Sequence, residues 1–346
     1  MSETISIPSP KQLREILAAA PDAIELASGV APQHTHPLAQ SMRLRDIAFA
    51  CGLKARAPGP NDTSLSMASF GLSTTDFPSL VAGGLKRATV GAYDAQAAHM
   101  AFSVPVPVES FHAVDLPALD ADFELLELSE SAEMTRFVGL VAGGSTKVQL
   151  RSFARKFGLT RVAMINNDLE SFARAVIGTG SSAARLESRM VADALEANPV
   201  MDDGANAFAT EYLNVVEAAL DASSLGQALG ALRKQKTAAG QLADLAGKHL
   251  VVEPDLEMTA RELVRTAGLA IEVAVLAHLP AGRWYLLASP DTHPVVGVLR
   301  LLDAKWPVRV EPNRRPKDFD GAVVGTVADL GACLLRRTGI VRGEAA

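Results

Sequence analysis

Residues 165–199 read INNDLESFARAVIGTGSSAARLESRMVADALEANP, and this stretch sets the frame for the rest of the chain. Asn167 can accept from the free N–H groups that open a helix, and Glu170 stands where a capping box places its carboxylate. Phe172, Val176, Ala183, Leu186, Met190 and Ala194 recur at close to helical spacing. Asn198-Pro199 ends the run, because the residue before a proline leaves the helical region. The spacing predicts one helix of about 30 residues, or about 45 Å at 1.5 Å per residue. Gly178-Thr-Gly-Ser-Ser182 sits in its middle and is expected to bend it.

Upstream, from Val104 to Leu159, the pattern shortens to strands. Val148-Gln-Leu-Arg151 alternates apolar and polar residues, and Ala142-Gly-Gly-Ser145 is a tight-turn signal between two strand-like runs. The run before it is acidic, with Asp120, Asp122, Glu124, Glu127, Glu130 and Glu133. The run after it is basic, with Lys147, Arg151, Arg155 and Lys156. Opposite charges on paired strands attract, which predicts a long polar hairpin projecting from the body. Glu124, Glu127, Lys147, Arg151 and Arg155 are its candidate contacts with another molecule.

The N-terminal part reads as a short helix, Gln12 to Ala20, stopped by Pro21, then an aperiodic arm, GVAPQHTHPLAQS. Leu44, Ile47, Ala48 and Cys51 predict a short amphipathic helix closed by Gly52, followed by a loop over 54–72. Ser73-Thr-Thr-Asp76 caps a helix from Phe77 to about Ala98, with Pro78 in the first turn, where its missing N–H costs little. Beyond Pro199 the pattern is mixed. Helices are expected over Leu225–Lys236 and Pro254–Val264, and strands over His249–Glu253 and Trp284–Ala288. The tail alternates at Val308 and Val310, turns near Asp320-Gly321 and returns through Val323, Val324 and Val327.

With 346 residues, 48% hydrophobic and 21% charged, the chain can bury one large core or two. A net charge of −6 argues against nucleic-acid reading as its main activity, which needs a clustered basic face. Cys51 and Cys333 lie far apart in apolar contexts and make no CxxC, so two buried free thiols are expected. The longest apolar stretch, Leu269–Leu279, carries Glu272 and His278 and is too short to cross a bilayer. The start, MSETISIPSPKQLREIL, lacks a basic segment followed by an apolar run, so no secretion signal is expected and the protein is read as made in a cytoplasm.

Motifs that would carry chemistry fail on spacing. Gly139-Leu-Val-Ala-Gly-Gly-Ser-Thr-Lys147 lacks the Gly-Lys-Ser/Thr end with which a phosphate loop wraps its ligand. Gly178-Thr-Gly180 lies inside a helical pattern rather than after a strand, and neither GxSxG nor HExxH occurs. His34 and His36 fit a solvated loop better than a metal site, and Asp120-Ala-Asp122 belongs to the acidic run rather than to a paired-carboxylate centre. No catalytic, cofactor-binding or metal-binding residue is assigned, and the chain is not read as an enzyme.

Several stretches resemble one family. Ser73-Thr-Thr-Asp-Phe-Pro-Ser-Leu80 with Ala92-Tyr-Asp-Ala95 resembles its "ST-S/T-DFP-x-L … AAYEA" helix. Phe153–Arg161 followed by Ile165-Asn-Asn-Asp-Leu169 resembles its "YG-x-x-F-x-ITR-x-ALINDDL" signature. Ala183-Ala-Arg-Leu-Glu187 and Leu195–Pro199, Leu229–Lys236, Leu250–Glu257, Trp284–Asp291 and Phe319-Asp-Gly321 continue the series in order. The resemblance is to tailed-phage major capsid proteins with the HK97-type fold, in the branch often encoded with or fused to a head-maturation protease. It departs where the family's "HGNL" stands as Glu211-Tyr-Leu-Asn214.

The resemblance implies an α+β fold with an N-terminal arm over 1–40 and a helical part of the P domain region over 41–109. An extended E-loop hairpin follows over 110–160, then the P domain's spine helix over 161–199. An A domain covers 200–300, and the chain returns to the P domain over 301–346. It implies a major head protein that self-assembles as pentamers and hexamers into an icosahedral shell around double-stranded DNA, without sequence-specific binding, membrane or cofactor. Its partners would be other copies of itself, a portal, a scaffold or maturation protease and decoration proteins. It would be assembled in a host cytoplasm and end in the virion. An encapsulin-like nanocompartment shell is the alternative on the same fold, and an α/β enzyme with an unrecognised site is the lesser one.

Overall fold

The computed structural model describes residues 7–28, 36–119, 142–166, 170–201, 204–237, 240–313 and 319–344. Four helices open the chain, α1 (Pro10–Ala27), α2 (Leu44–Ala55), α3 (Ser64–Leu72) and α4 (Asp76–Gln96). Strands β1 (Ser103–Val108), β2 (Val114–Leu119), β3 (Ala142–Val148) and β4 (Arg151–Thr160) lead to α5 (Arg161–Ile165) and the long α6 (Glu170–Glu196). Then come β5 (Val215–Val216), α7 (Ala222–Lys234), β6 (His249–Val252), α8 (Glu257–Thr266), β7 (Glu272–Val275) and β8 (Trp284–Leu287). The tail holds β9 (Val296–Leu301), β10 (Val308–Asn313), β11 (Gly321–Leu330), β12 (Ala332–Leu334) and β13 (Ile340–Gly343). The fold is α+β. It divides into two compact units, residues 1–96, 152–184 and 306–329, and residues 97–151, 185–305 and 330–346.

The first unit joins helices α1–α5 and the start of α6 to a sheet of order β10-β11-β4. Helix α1 is capped by Ser9, whose Oγ accepts from Gln12 N while Gln12 Oε1 accepts from Ser9 N. Pro21 does not stop it, as the sequence suggested; the helix runs on to Ala27. A helix-interior proline costs about 3 kcal/mol, and burial of Ala19, Ala20, Ala23 and Ile24 offsets it. Helix α4 comes close enough that a Cβ on Gly84 would lie 2.8 Å from Pro21 O. Buried Glu25 takes Arg87 from α4 in a two-pronged ion pair, Nε–Oε1 2.8 Å and Nη2–Oε2 2.9 Å.

Gly52, read as a helix end, Gly71, read as loop, and Gly180, read as part of a bend, are crossing points instead. Gly52 lies inside α2, where a Cβ would sit 2.3 Å from Met67 O, and Gly71 would place one 1.7 Å from Ala48 O. The partner is α3, which occupies part of the segment expected to be loop; its serines and glycine hide a helix that packs backbone to backbone on α2. Likewise α6 is one unbroken helix, and Gly180 is where it crosses α4, a Cβ there meeting Thr89 O at 2.0 Å. Ser181 Oγ donates to Ala92 O at 3.2 Å beside it.

The second unit centres on a five-stranded sheet of order β5-β13-β8-β6-β7. Alternate residues enter different cores: Val251, Tyr285 and Leu287 join Val191, Ala192 and Leu195 of α6, with Val296 and Val298 of β9. Leu250, Val252, Trp284 and Leu286 join Leu225, Ala228 and Leu232 of α7, with Ala260 and Val264 of α8. A sheet covered on both faces needs continuous apolar strands, which is why His249–Val252 and Trp284–Leu287 stood out in the sequence. A second sheet, β1-β9-β12, pairs β1 parallel to β9 and β12 antiparallel to it. Helix α6 ends near Asn198, whose φ of 43° is the left-handed stop that asparagine tolerates before Pro199.

Candidate functional site

Strands β2 and β3 form an antiparallel hairpin from Val114↔Val148 to Leu119↔Ala142, with an irregularity between Pro117 and Ala118. Ala142-Gly-Gly-Ser145 is therefore not the turn; it lies in β3, paired with residues of β2. The acidic run from Asp120 to Glu133, including Glu124 and Glu127, lies outside the described residues. Asp115 and Lys147 are register partners in the described ladder, which leaves the expected pairing of the acidic run with the basic one untested. Arg151 and Arg155 are corrected: they belong to β4, which joins β11 in a different sheet.

Strand β4 exposes Arg151, Ala154, Arg155 and Lys156 while Leu159 is buried. It runs opposite to β11, since Ser152 Oγ donates to Asp329 Oδ1 at 2.7 Å and Leu159 O lies beside Gly321. Arg309 anchors the far end of the same carboxylate, Nη1–Oδ2 2.8 Å. Thus Asp329 is ion-paired within the unit, whereas Arg151, Arg155 and Lys156 make no ion pair with any described residue. Such a row of cations can attract an anionic surface and hold it loosely.

Two buried polar clusters were not legible from residue spacing. In the first, His99 Nε2 lies 2.9 Å from Glu187 Oε2 and His99 Nδ1 2.9 Å from Ser188 Oγ, an order resembling a serine–histidine–carboxylate relay. Arg300 claims both oxygens of Glu187, with Nη2–Oε2 at 3.0 Å, and the side chains of His99 and Glu187 are 0% exposed. A relay needs a nucleophile that substrate can reach, and here the histidine and the carboxylate are sealed in. The cluster pins α6, the turn at His99 and β9 together. In the second, Tyr285 Oη donates to Glu196 Oε1 at 2.7 Å, Arg283 Nε sits 3.0 Å from the same oxygen, and Arg283 also bonds Glu344. Burial and the Glu196 hydrogen bond push the Tyr285 hydroxyl well above its usual range, so it stays a neutral donor.

Cys51 and Cys333 are both free and buried, as expected, and burial pushes each thiol up to about 12. His36 accepts Leu38 N on Nδ1 at 3.3 Å, and His34 lies outside the described residues. Among the described residues no His, Cys, Asp and Glu group could hold a metal ion, and no helix is long and apolar enough to cross a membrane.

A model of the phage capsid protein family matches residues 144–343, from β3 to the last residue of β13. The chain belongs to that family. No curated protein matches it. Among solved structures, this capsid protein is similar to the virus-like particle from Pyrococcus furiosus, with 14% identity over 75% of this chain and 97% of that one and a TM-score of 0.47. The capsid of cyanophage P-SCSP1u gives 13% identity, 72% and 88% coverage and a TM-score of 0.45. The holo-SrpI encapsulin complex from Synechococcus elongatus gives 11% identity, 71% and 86% coverage and a TM-score of 0.47. Family membership rests on the matched residues and not on these distant superpositions. A hairpin, a long helix and a unit centred on a five-stranded sheet follow one another along the chain.

Proposed function

We propose that this capsid protein is the major head subunit of a tailed phage, assembling as pentamers and hexamers into an icosahedral shell that encloses double-stranded DNA. The observation that carries the reading is the family match, which spans both compact units. The surface supports it. The exposed cations Arg151, Arg155 and Lys156 of β4 make no ion pair with any described residue and remain for neighbours. In this reading the hairpin is the E-loop, α6 the spine of the P domain and the five-stranded sheet the A domain. Residues 1–40 remain the arm, although Pro10–Ala27 within it is a docked helix. Lys147, Arg151, Arg155, Glu124 and Glu127 serve contacts between copies, and portal, scaffold, maturation protease and decoration proteins are the further partners.

Sedimentation and electron microscopy of the expressed full chain test this, with nuclease digestion of the particle fraction. Closed megadalton shells, holding nuclease-protected DNA when isolated from virions, are expected. Shells that hold a protein cargo instead would make it a nanocompartment. A small oligomer with no shells under any salt or concentration would overturn the reading.

A further inference from the structure

Strand β1 reads Ser-Val-Pro-Val-Pro-Val over 103–108, and among the described residues it pairs with β9 alone, in parallel. It is therefore an edge of the β1-β9-β12 sheet. Leu302 N donates to Val108 O at 2.9 Å, so Val108 turns its backbone groups toward β9. In a ladder the backbone groups of alternate residues point to opposite sides of the strand. Val104 and Val106 share the side of Val108, and Ser103, Pro105 and Pro107 face away. Both prolines thus stand where a missing N–H costs the β9 ladder nothing; at 104 or 106 the same residue would break it. Pro105 and Pro107 are exposed, while Val106 and Val108 pack with Leu299 and Cys333.

We propose that Pro105 and Pro107 close the β1 edge against strand addition by the β1 edge of a second copy, so that this sheet ends within one chain. Without them β1 would be a valine-rich strand with a row of outward N–H and C=O groups, the template on which copies join edge to edge. With them the outward side keeps its carbonyls but has no backbone donor between Ser103 and Glu109. A second β1 laid alongside carries the same gap, so each copy lacks the donors that the other's carbonyls need. That self-exclusion suits a chain read as meeting many copies of itself, and the edge geometry is independent of the shell reading.

The test compares two double variants of the full chain. Pro105→Thr with Pro107→Thr restores both N–H groups and suits a strand. Pro105→Lys with Pro107→Lys restores the same groups but sets like charges opposite each other across two paired edges. Both lose the same stiffening of the unfolded chain, so their urea midpoints should agree. Sedimentation of the dissociated subunit over a range of concentrations reads association, and infrared spectra of the pellet read intermolecular sheet. The threonine variant should give at least about tenfold more sheet-rich, shell-free sediment than the parent. The lysine variant should stay dispersed at low salt and associate as salt rises. A threonine variant that associates no more than the parent at any concentration would overturn the proposal. So would equal association of the two variants at low salt, because loss of stability and not the open edge would then drive it. A parent that makes no shells would remove the shell reading and leave this comparison of subunits intact.

Discussion

Strands β8 and β4 both carry aromatic and aliphatic residues, yet they sit in opposite circumstances. Trp284-Tyr-Leu-Leu287 lies between β13 and β6, with every side chain buried, Trp284 Nε1 donating to Ala218 O and Tyr285 Oη to Glu196. Arg151–Thr160 has one described neighbour, and most of its side chains face solvent. The first strand is complete within one chain, so its sequence serves stability. The second packs Phe157 on the core of its unit but leaves its cations without an ion pair among the described residues. Its sequence makes physical sense when another molecule is present.

The largest test of that contrast is truncation inside the completed region. Glu187→Ala should cost about 3–5 kcal/mol, because it leaves Arg300 and His99 buried without their carboxylate. Trp284→Ala should cost a similar amount, about 3–5 kcal/mol, through the cavity left between β8 and α7. Arg155→Ala should stay within about 0.5 kcal/mol, as surface changes do. Urea denaturation of the dissociated subunit reads all three. A loss above about 1 kcal/mol for Arg155→Ala would place β4 in the core and break the contrast.

The glycines sharpen it at smaller amplitude. Gly180→Ala should destabilise by about 1–3 kcal/mol, since the new methyl meets Thr89 O. Gly178→Ala, two residues away, points into open space and should stabilise by up to about 1 kcal/mol. Equal effects from the two would mean that α6 bends there and that the crossing is not rigid. Thermal melts of the single variants distinguish these outcomes.

These positions also show what was legible beforehand. Strands such as His249–Val252 and helices such as Asp76–Gln96 declare themselves because each follows one period and ends on a turn or capping residue. Gly52, Gly71 and Gly180 could not be read, because a glycine that breaks a helix and one that lets two helices touch look alike until the partner is known. Pro21 misled for a related reason: its local cost is visible in sequence, but the packing of Ala20 and Ile24 that offsets it is not. The turn assigned to Ala142–Ser145 failed because glycines in a strand imitate a hairpin tip. Of the surface candidates, the charges were legible and their strand partners were not, so Arg151 and Arg155 were assigned to the wrong sheet.

His249 offers a pH handle on the completed side. Burial lowers its pKa below the usual 6.5, opposed by Glu272 and reinforced by Lys248. The native state then binds fewer protons than the unfolded chain as pH falls below 6.5, so stability rises with pH in that window. Stability should be full above 6.5 and decline as pH drops toward the lowered value. His249→Gln should flatten that slope in urea midpoints taken between pH 7.5 and 5. An unchanged slope would assign the acid response to another group.

The smallest effect on the subunit should come with a large one on assembly. Exposed ion pairs are worth about 0–1 kcal/mol each and weaken with salt. Reversing Lys147, Arg151 and Arg155 to glutamate should therefore leave the circular dichroism and urea midpoint of the free subunit nearly unchanged. A closed shell repeats each contact in every subunit, so a fraction of a kcal/mol per site multiplies, and particle yield should fall sharply. Weak contacts that remain are screened further by salt, and the loss should grow between 50 mM and 500 mM NaCl. Reversing Glu124 and Glu127 to lysine in the same chain should restore part of the yield, since the sign of both sides is then exchanged. If the triple variant unfolds alone, the basic row belongs to the interior of its own chain. If it assembles as the parent does, the row has no role between copies, and the use assigned to the open strand fails with it.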